Sequence, residues 1–218
     1  MQRSAFAKAL DELQQDILIM GSLVEANIAR AVESLAKQDL KLANKVYEVE
    51  EEIDQWELKI EDTCLRLIAT QQPMAKDLRK IASAFKIIND LERMGDYSVD
   101  IAKVTERIGT EPLIKPLIDL PRMARMAQTM VKDSLDAYVT ENMELAKVAG
   151  ATDDVVDQLH KQIFRELLVI MMENPRTITQ ATHLLFVSSS LERIADHATN
   201  ISENVIYLVT GKRVDLNE

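Results

Sequence analysis

The sequence has little of what a β-sheet or a membrane span requires. Its 218 residues include only five glycines, five prolines and 4% aromatic side chains, so residues typical of tight turns and strands are scarce. The longest uninterrupted apolar run, residues 167–172, is far shorter than the roughly 20 residues that a membrane-spanning helix needs. The sequence therefore predicts an all-α fold without a membrane span.

Cysteine and positive charge are also in short supply. The single cysteine, Cys64, excludes an intrachain disulfide and a cysteine-rich metal site, which fits a reducing compartment, and we expect it to be buried. Residues 1–6 lack the apolar core of a secretory signal, so we expect a cytoplasmic location. A net charge of −10 opposes contact with nucleic-acid phosphates, and no nucleic-acid partner is expected.

The chain does contain apolar residues at helical spacing, interrupted by residues that end or begin helices. These interruptions predict six helices of roughly 30 residues, each about 45 Å long. The proline-dense segment 109–121 is interpreted as a linker between two units, residues 1–108 and 122–218. The sequence thus predicts two tandem, pseudo-symmetric three-helix bundles. The predicted breaks lie at residues 37–39, 71–73, 109–121, 140–142 and 173–175.

The two halves also resemble each other residue by residue. Three blocks of the first half recur in the second in the same order, two at an offset of 103 residues and one at an offset of 100. Such self-similarity indicates an internal duplication. The matched blocks are 39–43 with 142–146, 50–56 with 153–159, and 90–96 with 190–196.

Each half carries two pairs of acidic residues spaced i, i+4, which puts both carboxylates of a pair on one helix face. Two such helices side by side would present four carboxylates, and hard cations prefer oxygen ligands. The pairs are Glu50 with Asp54, Glu92 with Asp96, Asp153 with Asp157, and Glu192 with Asp196. Neighbouring polar residues are second-tier candidates: Glu57, Glu61, Asn89, Asp100, His160, Asn200 and Glu203.

Helical periodicity places these acids at the surface. A heptad of apolar and small residues from Ile81 to Ala102 predicts the buried face of the third helix, with Glu92 at its edge and Asp96 and Asp100 farther round. A solvated acidic face is the simpler interpretation of any single pair. Like-charge pairs at this spacing cost only about 0.2–0.5 kcal/mol each, so energetics do not decide. The recurrence of all four pairs is what favours metal binding.

Other polar residues carry weaker signals. Arg93 and Arg193 occupy equivalent positions, where we expect surface salt bridges, with phosphate binding as the alternative. His160, His183 and His197 do not have the spacing of a zinc hydrolase. The sequence contains no glycine-rich phosphate loop, no Gly-x-Ser-x-Gly motif and no evident nucleophile with a base. It therefore predicts a protein that is not an enzyme.

Two segments, residues 89–102 and 191–203, resemble the paired signature helices of the PhoU family of bacterial phosphate-uptake regulators. The resemblance extends over nearly the whole chain. It includes the Glu/Asp-x-x-x-Asp motif in each repeat and the run Gln-Gln-Pro-Met-Ala-Lys-Asp-Leu-Arg-Lys at residues 71–80. It implies the same duplicated, six-helix plan.

The resemblance implies a cytoplasmic negative regulator of the phosphate-starvation response and of phosphate uptake. Such a protein would couple the ATPase subunit of a phosphate ABC transporter to a sensor histidine kinase and dock peripherally on membrane complexes. We also expect a homodimer, although amphipathic faces alone do not distinguish a core from an interface.

The resemblance further implies multinuclear metal clusters on the bundle surface, with iron, zinc, magnesium or manganese as candidates. The implied ligands are Glu50, Asp54, Glu92, Asp96 and Asp100 in the first repeat, and Asp153, Asp157, Glu192, Asp196 and Asn200 in the second. Asn200 stands where the first repeat has Asp100, and His160 where it has Glu57, so the second site is expected to differ in affinity or metal.

Two alternatives of other classes remain open from the sequence. One is a helical scaffold or adaptor that binds partners without metal. The other is a ferritin-like, metal-dependent enzyme, whose ligands would point into the bundle.

Overall fold

A computed structural model describes residues 2–216, with side chains from residue 5 onward, as helices joined by short turns and without a strand in that range. The all-α class is confirmed, and every predicted break contains a helix boundary. The α-helices are α1 (Gln2–Lys37), α2 (Leu40–Gln71), α3 (Lys76–Ile108), α4 (Asp119–Thr140), α5 (Met143–Ala151), α6 (Asp153–Glu173) and α7 (Ile178–Thr210), with a 3₁₀ turn (Pro175–Thr177) before α7.

The fourth and fifth predicted helices differ from the expected 30 residues. Helix α4 has 22 residues and starts inside the segment interpreted as a linker. The fifth predicted helix is divided at Thr152 into α5, with 9 residues, and α6, with 21. Gly150, a weak helix former, lies just before the break, and an added Cβ there would lie 2.7 Å from Leu216 Cδ1. The segment after α7 therefore packs closely against the divided helix.

Equivalent corners begin the second helix of each half. Gln38 (φ 52°) and Glu141 (φ 51°) both adopt the left-handed conformation. The next residues, Asp39 and Asn142, cap the following helices, because each side-chain oxygen accepts hydrogen bonds from two backbone N–H groups in the first turn. The duplication seen in the sequence is thus repeated in local structure.

The helices form two units that meet through their last long helices. Helices α1, α2 and α3 contact one another, as do α4, α5, α6 and α7, and the main contact between the units joins α3 to α7. Asp90 of α3 lies beside His197 of α7, whereas Tyr97 of α3 lies beside Arg193, so the two helices run antiparallel. Within residues 2–216 no helix is long and apolar enough to cross a membrane.

The predicted buried face of α3 is confirmed, and it determines where the acidic residues lie. Ile81, Leu91 and Ala102 are fully buried, Glu92 is half-buried and Asp96 is exposed. Gly95, between the two acids, faces α2: an added Cβ would lie 3.4 Å from Ile53 Cδ1. The absence of a side chain at this position lets α2 pack closely beside the acidic face of α3.

Replacing Gly95 with alanine should leave the fold intact, because a methyl group there makes ordinary van der Waals contact and the equivalent residue of α7 is Ala195. We expect an increase of about 0–1 kcal/mol in the free energy of unfolding, from the higher helix propensity of alanine. Gly95→Leu should instead lose about 1–3 kcal/mol by overpacking. Urea unfolding measures both. A loss of more than about 1 kcal/mol for Gly95→Ala would contradict the described α2–α3 spacing.

Candidate metal centres

Five carboxylates from α2 and α3 form the first acidic cluster. The i, i+4 spacing brings each row to one helix face, and the packing of α2 on α3 sets the rows side by side. Burial raises the pKa of Glu50, and the neighbouring charges of Asp54 and Asp96 raise it further. Burial and Asp96 likewise raise the pKa of Asp54. The cluster consists of Glu50, Asp54, Glu57, Glu92 and Asp96.

Glu92 has the largest pKa shift in the first acidic cluster. Burial, followed by the charges of Asp96, Glu57 and Asp54, raises its pKa to about 7, against a partial lowering by Arg93. Part of the Glu92 population is therefore protonated at neutral pH. A bound cation would favour its ionised form, because an opposite charge nearby lowers a carboxyl pKa.

Four carboxylates from α6 and α7 form the second acidic cluster: Asp153, Asp157, Glu192 and Asp196. Burial raises the pKa of Asp153 to about 7, and the charges of Asp196, Asp157 and Glu192 add to the effect. Burial also raises the pKa of Asp196, as does the neighbouring Glu192. The predicted surface position is correct for most of these acids and wrong for Asp153, which is only 8% exposed. Asp153 is the first residue of α6, directly after the break at Thr152.

The surroundings of Asp153 Oδ1 indicate that the second cluster suits a cation. This oxygen is buried and has no hydrogen-bond partner among the described residues, an arrangement that costs free energy unless a donor or a cation approaches it. Oxygen donors of this kind are the ligands that hard cations prefer. Within residues 2–216, no three His, Cys, Asp or Glu side chains converge closely enough to hold an ion as they lie. Repulsion between like charges keeps the carboxylates apart when no cation is present. Side chains would therefore have to rotate toward a cation when it binds.

The outer candidate ligands have protein partners of their own. Asp100 forms an ion pair with Lys103 at 2.9 Å. The Asn200 amide donates to Asp90 Oδ1 at 3.3 Å, and His160 Nδ1 lies 2.8 Å from Ser188 Oγ. The geometry does not bring these residues into the two clusters, and their assignment as ligands stays a prediction. In the second cluster, Asp157 is paired with Lys161, one turn further along α6.

Sequence reasoning missed a polar contact between the two units. Asp90 Oδ1 lies 2.9 Å from His197 Nδ1, and both side chains are largely buried. The rings of Tyr97 and His197, which are equivalent residues of the two repeats, lie 5.8 Å apart between their centroids. The only signal in the sequence was that Asp90 replaces the Ser190 of the other repeat, which says nothing about its partner.

Two further expectations have clear outcomes. The prediction that Arg93 and Arg193 form surface salt bridges is wrong, because neither forms an ion pair in the described part of the chain. Instead, Arg193 Cζ lies 5.7 Å from the centre of the Tyr97 ring. The expected burial of Cys64 is confirmed, and burial raises the pKa of its thiol to about 12. The thiol is therefore neutral rather than a reactive thiolate.

The fold and the clusters together define the class of protein. It is a duplicated helical bundle that carries a matched carboxylate cluster on each of its two units. Comparison with known proteins identifies the family. The model of the PhoU domain matches the chain twice, at residues 17–105 and 120–205, once in each unit. The chain belongs to the PhoU family.

Relatives and solved structures agree with this assignment. A "Phosphate-specific transport system accessory protein PhoU homolog" of Clostridium acetobutylicum is 45% identical over the full length of both chains, and one of Aquifex aeolicus is 42% identical over 95% of this chain and 94% of its own. The crystal structure of PhoU from Pseudomonas aeruginosa is 37% identical, with a TM-score of 0.91, over 95% of this chain and 100% of that one. The phosphate transport system regulatory protein PhoU from Streptococcus pneumoniae is 32% identical, with a TM-score of 0.90, over 96% and 99%.

Neutralising Glu92 or Asp153 should stabilise the metal-free protein at pH 8 and have little effect at pH 4. The pKa of each is about 7 in the folded protein, against usual values of 4.5 and 3.8. Between these values the folded state binds more protons than the unfolded state, so the free energy of unfolding falls as the pH rises through the window. Urea unfolding of Glu92→Gln and Asp153→Asn in excess chelator measures the effect.

Asp62→Asn provides the control for this experiment, because Asp62 is exposed on α2. It removes one negative charge from the same acidic chain without touching either cluster. Equal stabilisation by the control and the two cluster variants at pH 8 would show that net charge, rather than local crowding of carboxylates, is responsible.

Proposed function

We propose that this chain is a negative regulator of phosphate uptake and of the phosphate-starvation response. In this proposal it acts in the cytoplasm, docks on a membrane complex, and couples the ATPase subunit of a phosphate ABC transporter to a sensor histidine kinase. The observation that supports it is similarity over the full length to relatives named as accessory proteins of phosphate-specific transport. A homodimer remains part of the proposal.

We further propose that the two acidic clusters bind metal ions, with iron, zinc, magnesium and manganese as candidates. The first site would use Glu50, Asp54, Glu92 and Asp96, and the second Asp153, Asp157, Glu192 and Asp196. A bound cation would supply positive charge where the chain concentrates carboxylates, and so tie α2 to α3 and α6 to α7. The observation that carries this proposal is the buried Asp153 Oδ1, which lacks a partner beside three other carboxylates.

The position of the clusters favours a regulatory surface over a ferritin-like enzyme. Ligands of ferritin-like enzymes point into the bundle core, whereas Asp96 is exposed and Glu50, Asp54 and Glu92 are half-buried at the α2–α3 surface. The protein is proposed to transmit a signal through this surface rather than to catalyse a reaction. A scaffold without metal is the alternative, and metal titration distinguishes the two.

Manganese, iron, zinc or magnesium should bind to chelator-stripped protein, and pairs of substitutions should remove one site at a time. Glu92→Gln with Asp96→Asn should abolish the first site, and Asp153→Asn with Asp196→Asn the second, because each pair removes two of the four carboxylates proposed for its site. Calorimetric titration should show that each double variant loses at least tenfold in affinity at its own site and retains the other.

Glu52→Gln with Asp62→Asn is the matched control, since both residues are exposed on α2 and the charge change is the same. The control should bind metal as the unmodified protein does. No binding to the unmodified protein by any of the four metals would refute the metal proposal and favour the scaffold. Equal weakening in the control would show attraction to net charge only.

Deletion of the gene should raise the expression of phosphate-responsive alkaline phosphatase and the uptake of phosphate in phosphate-replete medium. Reintroducing the unmodified chain should restore repression, and the Glu92→Gln, Asp96→Asn variant should restore it less well if metal fixes the docking surface. Reporter assays and labelled-phosphate uptake measure both. Unchanged expression and uptake in the deletion strain would be incompatible with the regulatory role, whatever the titrations show.

A further inference from the structure

Two clefts lie between α3 and α7 at positions related by the internal duplication. The first cleft, with a volume of about 530 Å³, lies between the start of α3 and the end of α7. The second cleft, with a volume of about 370 Å³, lies between the end of α3 and the start of α7. The polar residues of the first are Lys86, Asn89, Asp90, Asn200, Glu203 and Asn204. Those of the second that matter here are Tyr97, Lys103, Arg107, Ser189, Ser190 and Arg193.

Four of the six polar residues of the first cleft already have hydrogen-bond partners within the chain. Asp90 Oδ1 accepts from the Asn200 amide and lies beside His197, and Asn204 donates to the backbone carbonyl of Asn200 at 2.9 Å. Glu203 accepts a hydrogen bond from the backbone N–H of Leu216 at 2.9 Å. Two carboxylates against one lysine also make this cleft unattractive to an anion.

The second cleft has the opposite chemistry at equivalent positions. At an offset of 100 residues, Ser190 replaces Asp90 and Ser189 replaces Asn89, so the buried carboxylate of the first cleft is absent here. Arg107 and Arg193 contribute positive charge from the two helices. The acid that lines this cleft, Asp100, is paired with Lys103 at 2.9 Å. The lining therefore has an excess of positive charge in a chain whose net charge is −10.

Five donor residues of the second cleft have no hydrogen-bond or ion-pair partner among the described residues: Tyr97, Arg107, Ser189, Ser190 and Arg193. Neither serine donates to the carbonyl one turn back along the helix, as Ser98 does to Met94 at 3.0 Å, and neither they nor the Tyr97 hydroxyl forms a hydrogen bond with another described residue. Arg107 and Arg193 form no ion pair in the same part of the chain. Ser190 is 8% exposed, yet its hydroxyl oxygen is not among the sealed, unpartnered atoms, so it faces the cleft.

We propose that the second cleft binds a phosphate group, either as inorganic phosphate or as the phosphate of a small ester. Guanidinium groups pair with phosphate oxygens in a forked geometry, and hydroxyl groups donate to the remaining oxygens. Five donor groups from two helices suit the several oxygens of a phosphate better than the two of a carboxylate. The volume lies within the range of roughly 300–1,000 Å³ that is usual for small-molecule sites. None of the carboxylates of the two acidic clusters lines this cleft.

Calorimetric titration of the full chain in excess chelator tests the proposal, with potassium phosphate, ATP and potassium acetate as separate probes. We expect phosphate or ATP to bind more tightly than acetate. Binding of phosphate and ATP with similar affinity assigns the site to the free ion, whereas binding of ATP alone assigns it to an ester. Either result supports the site. No binding of phosphate or ATP at millimolar concentration, or equal binding of acetate, would overturn it.

Substitutions locate the binding. Arg107→Glu and Arg193→Glu should each weaken the bound probe at least tenfold, because each replaces a forked donor with a repelling carboxylate. Ser190→Asp, which introduces the residue type found at the equivalent position of the first cleft, should do the same with a smaller structural change. Circular dichroism and thermal unfolding establish that each variant is folded.

Arg93→Glu is the matched control. Arg93 is the repeat equivalent of Arg193, is exposed, and lies outside the second cleft, so the substitution changes net charge equally without touching the proposed site. It should change affinity less than threefold. Equal weakening by Arg93→Glu and Arg193→Glu, or undiminished binding by Ser190→Asp together with Arg107→Glu, would show that the second cleft is not the site.

Discussion

The packing of α3 against α7 is the contact on which the rest of the structure depends. Helix α3 carries two acids of the first acidic cluster and α7 carries two of the second, and together the two helices line both clefts. Their packing is also the main connection between the two repeats. Their antiparallel course brings equivalent residues such as Tyr97 and His197 together near the middle. The Asp90–His197 contact then fixes the register on one side of this point and has no counterpart on the other.

Gathering carboxylates on neighbouring helices has an electrostatic cost. Burial, and after it the charges of neighbouring carboxylates, raise the pKa values of the acids gathered on α2 with α3 and on α6 with α7, most strongly at Glu92 and Asp153. The cost is tolerated because the remaining faces of the same helices bury a continuous apolar core. Acidic residues placed farther apart on the surface would avoid this repulsion. The presence of both clusters on matched helices therefore supports the proposal that they bind a cation.

Local signals explain what the sequence predicted well. Asp39 and Asn142 are residue types that favour the N-cap of a helix, and both do cap helices here. The apolar heptad of α3 places Glu92 at the edge of the buried face. These helix starts and the acidic rows could therefore be predicted from the sequence. Contacts between distant segments explain what was missed. The break at Thr152 lies beside Gly150, on which the distant Leu216 packs, and the Asp90–His197 pair depends on which helices meet. Periodicity along one helix does not specify either.

The divergence of the two clefts has a consequence for recognition. A duplicated bundle whose halves were identical would present a partner with two equivalent ways to bind, related by a half-turn, and the partner could not distinguish one end from the other. Serine and arginine at one end of α3 and α7, and aspartate and asparagine at the other, remove that degeneracy. The molecule thereby acquires a polarity, because its two ends present different chemistry to any partner.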